Sequence, residues 1–492
     1  MMSFVHQQIK QIHSGGLPVL WRKISAFPQW LGSKISDSKV GILFAYFINT
    51  LAVAFKPDSA KAYERLGSTL FSLNRFEEGL TLWKKAISLQ TDDRYPELFK
   101  QSVALLHRGQ WDTMISALRM GAEAQDEFAR KHQLDKLGIR FLREWTYAIG
   151  HMALLDIYVK MGILGWRNQF RPIVLDDKPA NRCYLDYWRQ YLPYMITDPV
   201  GVKLLTPLAT RLEDHLRVIT FADGRRLNYL AAILEVQQQW EKEGRGPLLT
   251  LKDSDHEWGW ECLKRFGMKE GDWFVGLHVR ATASKNARDS DIDTYRMAIE
   301  SITARGGWVI RMGNPSMPPL ATMPRVIDYA HSEARCDSMD VFLWARCRFF
   351  IGTQSGPYLV PSTFGVPCVM INSFPMALSM PYQNISIYKL YRSEKENRLM
   401  TFSEACASRV ELAESLKYIS STGVRLVDNT PEEINDVVLE IMERLEGKIV
   451  YSAEDEELQK RFKSLKLPFT NQFGTSADRI GRAFLQKYTH LL

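Results

Sequence analysis

The sequence predicts an α/β protein in which two α/β domains follow an all-α helical-repeat region. Three observations carry that prediction. Residues 58–91 have helical periodicity, and from about residue 138 the pattern changes to mixed strand and helix. Residues 274–372 then hold short apolar strands, each ending in polar, glycine-bearing or basic residues, with a helical stretch between the first two. A chain of 492 residues is long enough for two or three domains with cores of their own.

Residues 1–137 are expected to be helical. Over 58–91, Tyr63, Leu66, Gly67 and Leu70 mark a first helix and Gly79, Trp83 and Ala86 a second. The pattern resembles a tetratricopeptide repeat, where small residues let paired helices approach and large ones fill the layer between repeats. One such unit cannot bury its face alone, so residues 37–57 and 96–125 are the expected neighbours, the latter through Leu105, Gly109, Trp111 and Ala117. Such a solenoid either offers a concave surface to a protein partner or serves only as a buttress. Residues 1–36 carry Lys10, Arg22, Lys23 and Lys34 with no acidic residue, among Val5, Ile9, Leu20 and Trp21. That fits an interfacial helix on an anionic membrane, or a helical cap on the next repeat. The apolar run from Val40 to Phe55 is shorter than the roughly 20 residues of a spanning helix, so a buried helix is expected there.

Residues 138–246 read as a first α/β domain, beginning with a strand that ends near Trp145–His151 and passes into a Gly-His loop. Arg171–Asp176 and Leu216–Thr220 are further strands, with helices at 152–164, 180–195 and 226–242. A polar, glycine-bearing linker, Glu241–Pro247, leads to a second α/β domain over 247–450. Its strands are Phe274–Arg280, Trp308–Gly313, Arg348–Gly352 and Pro367–Asn372. A helix from Ser290 has Asp291 and Asp293 in its first turn and Gly306 at its close. Residues 451–492 are charged and helical and are expected to pack back on a neighbouring domain.

Composition excludes several classes. Hydrophobic residues at 46% and charged ones at 24% are ordinary for a globular chain, so no disorder is forced. A net charge of +7 is too diffuse to argue for nucleic acid, though an anionic substrate or membrane surface remains open. The six cysteines form no CxxC pair or ladder, which fits a reducing cytoplasm rather than a disulfide framework or metal site. The N-terminus lacks the apolar core and cleavage site of a secretory signal, so export is not expected. No Gly-x-Ser-x-Gly elbow or Gly-Lys-Ser/Thr phosphate loop appears, which removes the serine-hydrolase and P-loop readings.

The strand ends of the second domain suit a phosphorylated ligand. Strand alternation would project His278 and Arg280 from one face, and Arg311 would end the next strand. Thr353, Ser355 and Gly356, followed by Pro357, would open a helix whose N–H groups meet phosphate. Each has a plainer reading: Arg280 pairing with Asp289 or Asp291, His278 as a satisfied core histidine. His151, in its Gly-His setting, suits a general base. Asp289, Asp291 and Asp293 have the Asp-x-Asp spacing of metal-dependent sugar transferases, but helix capping already accounts for them, so no metal is expected.

Taken in order, His278-Val279-Arg280, Arg288 to Tyr295, Val309 to Gly313, Ser338-Met339-Asp340, Ala345 to Gly352 and Ser355-Gly356 resemble a family of bacterial glycosyltransferases. Ile149-Gly150-His151 and Leu164-Gly165-Trp166-Arg167 are similar to its first-domain motifs. The His-x-Arg block is also similar to that of inverting fucosyltransferases. The resemblance implies two Rossmann-like domains of the GT-B type, an acceptor-side domain at 138–246 and a donor domain at 247–450. It further implies a nucleotide-sugar donor used as substrate, with no cofactor, and Arg280, Ser355 and Gly356 on its diphosphate. Sugar would pass with inversion to a glycan, lipid-linked or protein acceptor, in polysaccharide or glycoconjugate biosynthesis. The location implied is cytoplasmic, with peripheral contact at the inner membrane face as a further option. A repeat-bearing interaction protein that binds nucleotide sugar without turnover is the alternative.

Overall fold

The computed structural model describes residues 39–73, 75–89, 111–167, 173–175, 178–269, 271–282, 286–375, 384–408, 410, 416–465 and 478–492. They fall into two compact units, one within Met1–Leu105 and Asp112–Ala124, the other within Leu106–Trp111 and Gln125–Leu492.

In the first unit, helices Lys39–Phe55, Ala60–Ser72 and Phe76–Leu89 follow one another. Ser59 caps the second by accepting the Ala62 N–H. Gly67 and Gly79 lie where the second and third helices meet: a Cβ on Gly67 would come within 2.9 Å of the Gly79 carbonyl oxygen. Fully buried Trp83 fills the same contact, its indole N–H donating to the Glu64 carbonyl at 3.1 Å and its ring meeting Phe71 edge-on. The helix expected to be buried, Lys39–Phe55, forms but leaves Leu43 and Phe47 more than half exposed. The interfacial-helix reading of 1–36 and the positions Leu105 and Gly109 lie outside the described residues. Helix Trp111–Lys131 gives residues to both units.

The second unit opens with a parallel three-stranded sheet, β1 (Arg140–Phe141), β2 (Ile173–Val174) and β3 (Met195–Ile196), in that order. The strand expected at Trp145–His151 is instead a 3-10 turn, Arg143–Trp145, followed by helix Ile149–Ala153; the true strand lies just upstream. A short apolar run has no period long enough to separate strand from helix. Helix Leu155–Ile163 follows, closed by Gly165 at φ +72°, with the Trp166 N–H returning to the Met161 carbonyl. That return explains much of the Leu164–Arg167 motif. Strand β4 (Val218–Thr220) pairs antiparallel with β5 (Arg226–Asn228), so residue 226 begins a strand and helix Tyr229–Lys242 starts later than expected. The Asp223-Gly224 turn, with Gly224 at φ +87°, is the hairpin signal that sets this pairing.

The remaining strands are β6 (Phe274–His278), β7 (Trp308–Arg311), β8 (Val326–Ile327), β9 (Phe350–Gly352), β10 (Cys368–Ser373), β11 (Ile385–Tyr388), β12 (Leu390–Ser393), β13 (Arg398–Leu399), β14 (Val424–Val427) and β15 (Arg479–Ile480). Seven of them make one all-parallel sheet in the order β15-β11-β10-β9-β6-β7-β8, while β13-β12-β14 form a small antiparallel one. Alternation sorts the large sheet's side chains. Val275, Leu277, Val309, Ile351, Val369 and Ile371 enter one buried cluster with helices Arg296–Ala304 and Pro431–Leu445. Phe274, Ile310, Phe350, Cys368 and Met370 enter a second with helix Asp337–Arg346, and this cluster continues into the first α/β part through Trp145, Leu155 and Trp188. Both faces are covered, as a parallel sheet requires. At the C-terminus, β15 adds an edge strand that the sequence pattern does not reveal, and helix Arg482–Lys487 packs Phe484 and Leu485 into the first of these clusters.

Among the described residues no helix is long and apolar enough to cross a membrane.

Candidate functional site

The order of the large sheet locates a crevice. From β6 the chain builds outward through β7 and β8, then returns to the other side of β6 with β9 and continues through β10 and β11. The switch point therefore lies between β6 and β9, and ligands of open parallel sheets bind beyond the strand carboxyl ends at that place. His278 ends β6 and is registered against Gly352, which ends β9. Two of the motif blocks singled out from the sequence, His278-Val279-Arg280 and Thr353–Gly356, are thus neighbours at the crevice.

Hydrogen bonds lock the two ends together. The Thr353 N–H donates to the His278 carbonyl at 3.2 Å, and the Thr353 hydroxyl accepts the Arg280 N–H at 3.0 Å. Thr353 is fully buried; its hydroxyl holds the strand ends in register. His278 Nδ1 lies 3.0 Å from Ser355 Oγ. Burial, then the charges of Arg311 and Arg280, push the His278 imidazole down to about 4. It is therefore neutral at pH 7.

Arg280 does not belong to the strand. Strand β6 ends at His278, so the loop, not side-chain alternation, sets its direction. Its Nε donates to Asp289 at 3.1 Å, the ion pair that its plainer reading anticipates, and its side chain is one quarter exposed. Arg311 ends β7 but is 2% exposed, donating to Asp328 and to the Pro318 carbonyl, both at 2.9 Å. Its charge lowers the pKa of His278. Asp291 caps the 3-10 turn Ile292–Tyr295 by accepting the Asp293 N–H, and among the described residues no group of three His, Cys, Asp or Glu is arranged to hold a metal. The helix expected at Ser355 is a 3-10 turn, Gly356–Tyr358, running into Leu359–Thr363. In that turn Pro357 has no N–H and the Tyr358 N–H donates to the Ser355 carbonyl at 3.4 Å, so Gly356 supplies the N–H that remains.

The first α/β part reaches the same place. A Cβ on Gly150 would lie 2.5 Å from the Gly356 Cα, and one on Gly356 would lie 2.7 Å from the Gly150 nitrogen. The Ile-Gly-His and Ser-Gly blocks, about two hundred residues apart, thus meet backbone to backbone. Gly150→Ala has no flexible side chain to displace, so we expect a loss of about 1–3 kcal/mol in stability together with loss of whatever the crevice binds; thermal melting and ligand titration of the variant check both.

His151, next to Gly150, is oriented by a single bond. Its Nδ1 lies 2.9 Å from the Glu144 carbonyl, which can only accept, so Nδ1 carries the hydrogen and Nε2 is the basic nitrogen. Burial lowers its pKa, against the Glu144 carbonyl bond that raises it, and the Arg217 charge lowers it further. The ring is neutral at pH 7 and edge-on to the exposed Tyr147 at 4.8 Å between centroids.

Buried neutral histidines give a signed pH dependence. His278 is held down to about 4 and His215, by burial and Arg143, to about 3. Below pH 6.5 the unfolded imidazoles take up protons that the folded ones refuse. Stability contributed by these groups is therefore level above pH 6.5 and declines as pH falls from there toward 4. Denaturation midpoints measured across that window should fall less in His278→Gln than in wild type.

Two further residues belong to the site: Glu144, whose carbonyl fixes His151, and Lys389, whose Nζ bonds both the Asp289 carbonyl and Asp428 at 2.7 Å. A lysine inside the apolar run Ile385–Leu390 is the one local signal available for the second. For Glu144 no local signal exists, because a backbone carbonyl carries none.

No family model matches the chain, and no curated protein matches it. Among solved structures, a glycosyl transferase family 9 protein from Veillonella parvula aligns at 14% identity over 61% of this chain and 78% of its own, with a TM-score of 0.32. The iron-containing dodecameric glycosyltransferase TibC from enterotoxigenic E. coli aligns at 12% identity over 51% and 61%, TM-score 0.30. An O-GlcNAc transferase from Thermobaculum terrenum aligns at 11% identity over 95% and 96%, TM-score 0.24.

Proposed function

We infer that this chain is a glycosyltransferase that moves a sugar from a nucleotide-sugar donor to a glycan, lipid-linked or protein acceptor. The observation that carries the reading is the meeting, at the switch point of a seven-stranded parallel sheet, of Arg280, the Ser355-Gly356 turn and the Gly150-His151 segment. Arg280, with the Ser355 hydroxyl and the Gly356 N–H of the turn, would bind the donor's diphosphate. His278 and Thr353 would hold Ser355 and Arg280 in place, and buried Arg311 would add its charge from behind. In the reaction, His151 Nε2 takes the proton of the acceptor hydroxyl, whose oxygen bonds to the anomeric carbon as the bond to the diphosphate oxygen breaks. The configuration inverts, and the departing diphosphate keeps its electron pair against Arg280 and the turn. These residues supply the chemistry without a metal or cofactor.

The same reading makes residues 138–246 the acceptor side and 247–450 the donor side. It places the helical region, 1–137, at a protein partner or acceptor, with 451–492 bracing the donor side. We place the protein in the cytoplasm, with peripheral contact at the inner membrane face as a further option, in surface polysaccharide or glycoconjugate synthesis.

Incubation with each common nucleotide sugar, with and without cell-envelope glycan as acceptor, tests the assignment. One donor should release its nucleoside diphosphate faster with acceptor present. A donor that binds tightly but releases nothing in either condition would instead make this an interaction protein that senses nucleotide sugar.

A further inference from the structure

Arg280 lies in a loop, yet its main chain is pinned at both ends. Its N–H donates to the Thr353 hydroxyl and its carbonyl accepts the Ser290 N–H, each at 3.0 Å. The direction of the guanidinium is a separate matter. Asp289 Oδ1 accepts the Arg280 Nε at 3.1 Å, while Oδ2 accepts the Thr282 N–H at 3.2 Å, the Thr282 hydroxyl at 2.5 Å and the Asn286 N–H at 2.8 Å. One carboxylate therefore gathers four donors from the loop that carries Arg280. Charge-assisted bonds of this kind are the strong ones, and a carboxylate so engaged has little freedom to turn. Behind it, Lys389 donates to the Asp289 carbonyl and to Asp428, with a side chain only 5% exposed. Lys389 begins where β11 ends, so the clasp ties the Arg280 loop to a strand three places away from β6 in the sheet.

We propose that Asp289, backed by Lys389, is the positioning residue that aims the Arg280 guanidinium at the leaving diphosphate. The proposal rests on the donor-site reading above and adds to it the group that sets the arginine's direction. Asp289 touches no substrate in this scheme; it acts through Arg280. Its spacing to Asp291 and Asp293 makes it look like a metal ligand in the sequence, but its carboxylate is spent on the loop.

A double-mutant cycle tests this, using calorimetric titration of the full chain with the nucleoside diphosphate that wild type binds best and with inorganic pyrophosphate. We expect Asp289→Asn to weaken binding about tenfold and Arg280→Ala about a hundredfold. If Asp289 works through Arg280, the double variant binds no more than about twofold more weakly than Arg280→Ala alone. Losses that multiply in the double variant would overturn the proposal while leaving the donor site intact. Failure of wild type to bind any nucleoside diphosphate or pyrophosphate would overturn the donor reading and this proposal with it. Should Asp289→Asn lose its cooperative melting transition, Lys389→Met takes its place in the same cycle, with the same lack of additivity expected.

Discussion

Asp156→Ala should destabilise the protein by about 3–5 kcal/mol, the cost of leaving a buried ammonium without its counter-charge. Asp156 and Lys160 sit one turn apart on helix Leu155–Ile163, 2.6 Å from each other, with side chains 5% and 0% exposed. Lys160 also donates to Gln237 at 2.9 Å and lies over the Trp240 ring. Burial raises the pKa of Asp156 and lowers that of Lys160, and each opposes the other's shift, with Glu241 also favouring the charged Lys160. Removing both should cost far less: Asp156→Leu with Lys160→Met replaces a paired charge by apolar volume and should restore most of the loss. Denaturant midpoints of the three proteins check the pattern. A single variant within about 1 kcal/mol of wild type would show that water reaches Lys160.

His151→Ala should lower turnover about 10²–10⁴-fold, the range typical for losing a general base, with little change in donor affinity. The tautomer makes His151 basic at Nε2. Because the Glu144 carbonyl can only accept, Nε2 is unprotonated, and the lowered pKa keeps it so at neutral pH. In wild type, kcat/KM should decline as pH falls through the His151 pKa, below the ordinary value of 6.5. That limb should be absent from the residual activity of His151→Ala. Equal turnover in variant and wild type would assign the base elsewhere.

Four of the large sheet's seven strands were legible because each is an apolar run closed by polar, glycine or basic residues. Phe274, Trp308, Phe350 and Cys368 open β6, β7, β9 and β10 within two residues of the expected starts. The cap at Asp291 was equally local. What was not legible depends on partners remote in sequence. The Trp145–His151 run has the composition of a strand, yet Met152, Leu155 and Ile157 pack as helical residues in the core. The pairing of Arg311 with Asp328 is set by the fold and has no mark in the sequence. The closest approach in the site, Gly150 on Gly356, joins two blocks whose meeting no periodicity encodes.

The most direct test of the central claim is calorimetric titration of wild type and Arg280→Ala with a panel of nucleoside diphosphates and nucleotide sugars. The donor site predicts saturable binding of one nucleotide, with an affinity for its diphosphate that falls about a hundredfold or more in Arg280→Ala. Binding that is unchanged in the variant, or no binding by a wild-type protein that melts cooperatively, would contradict it.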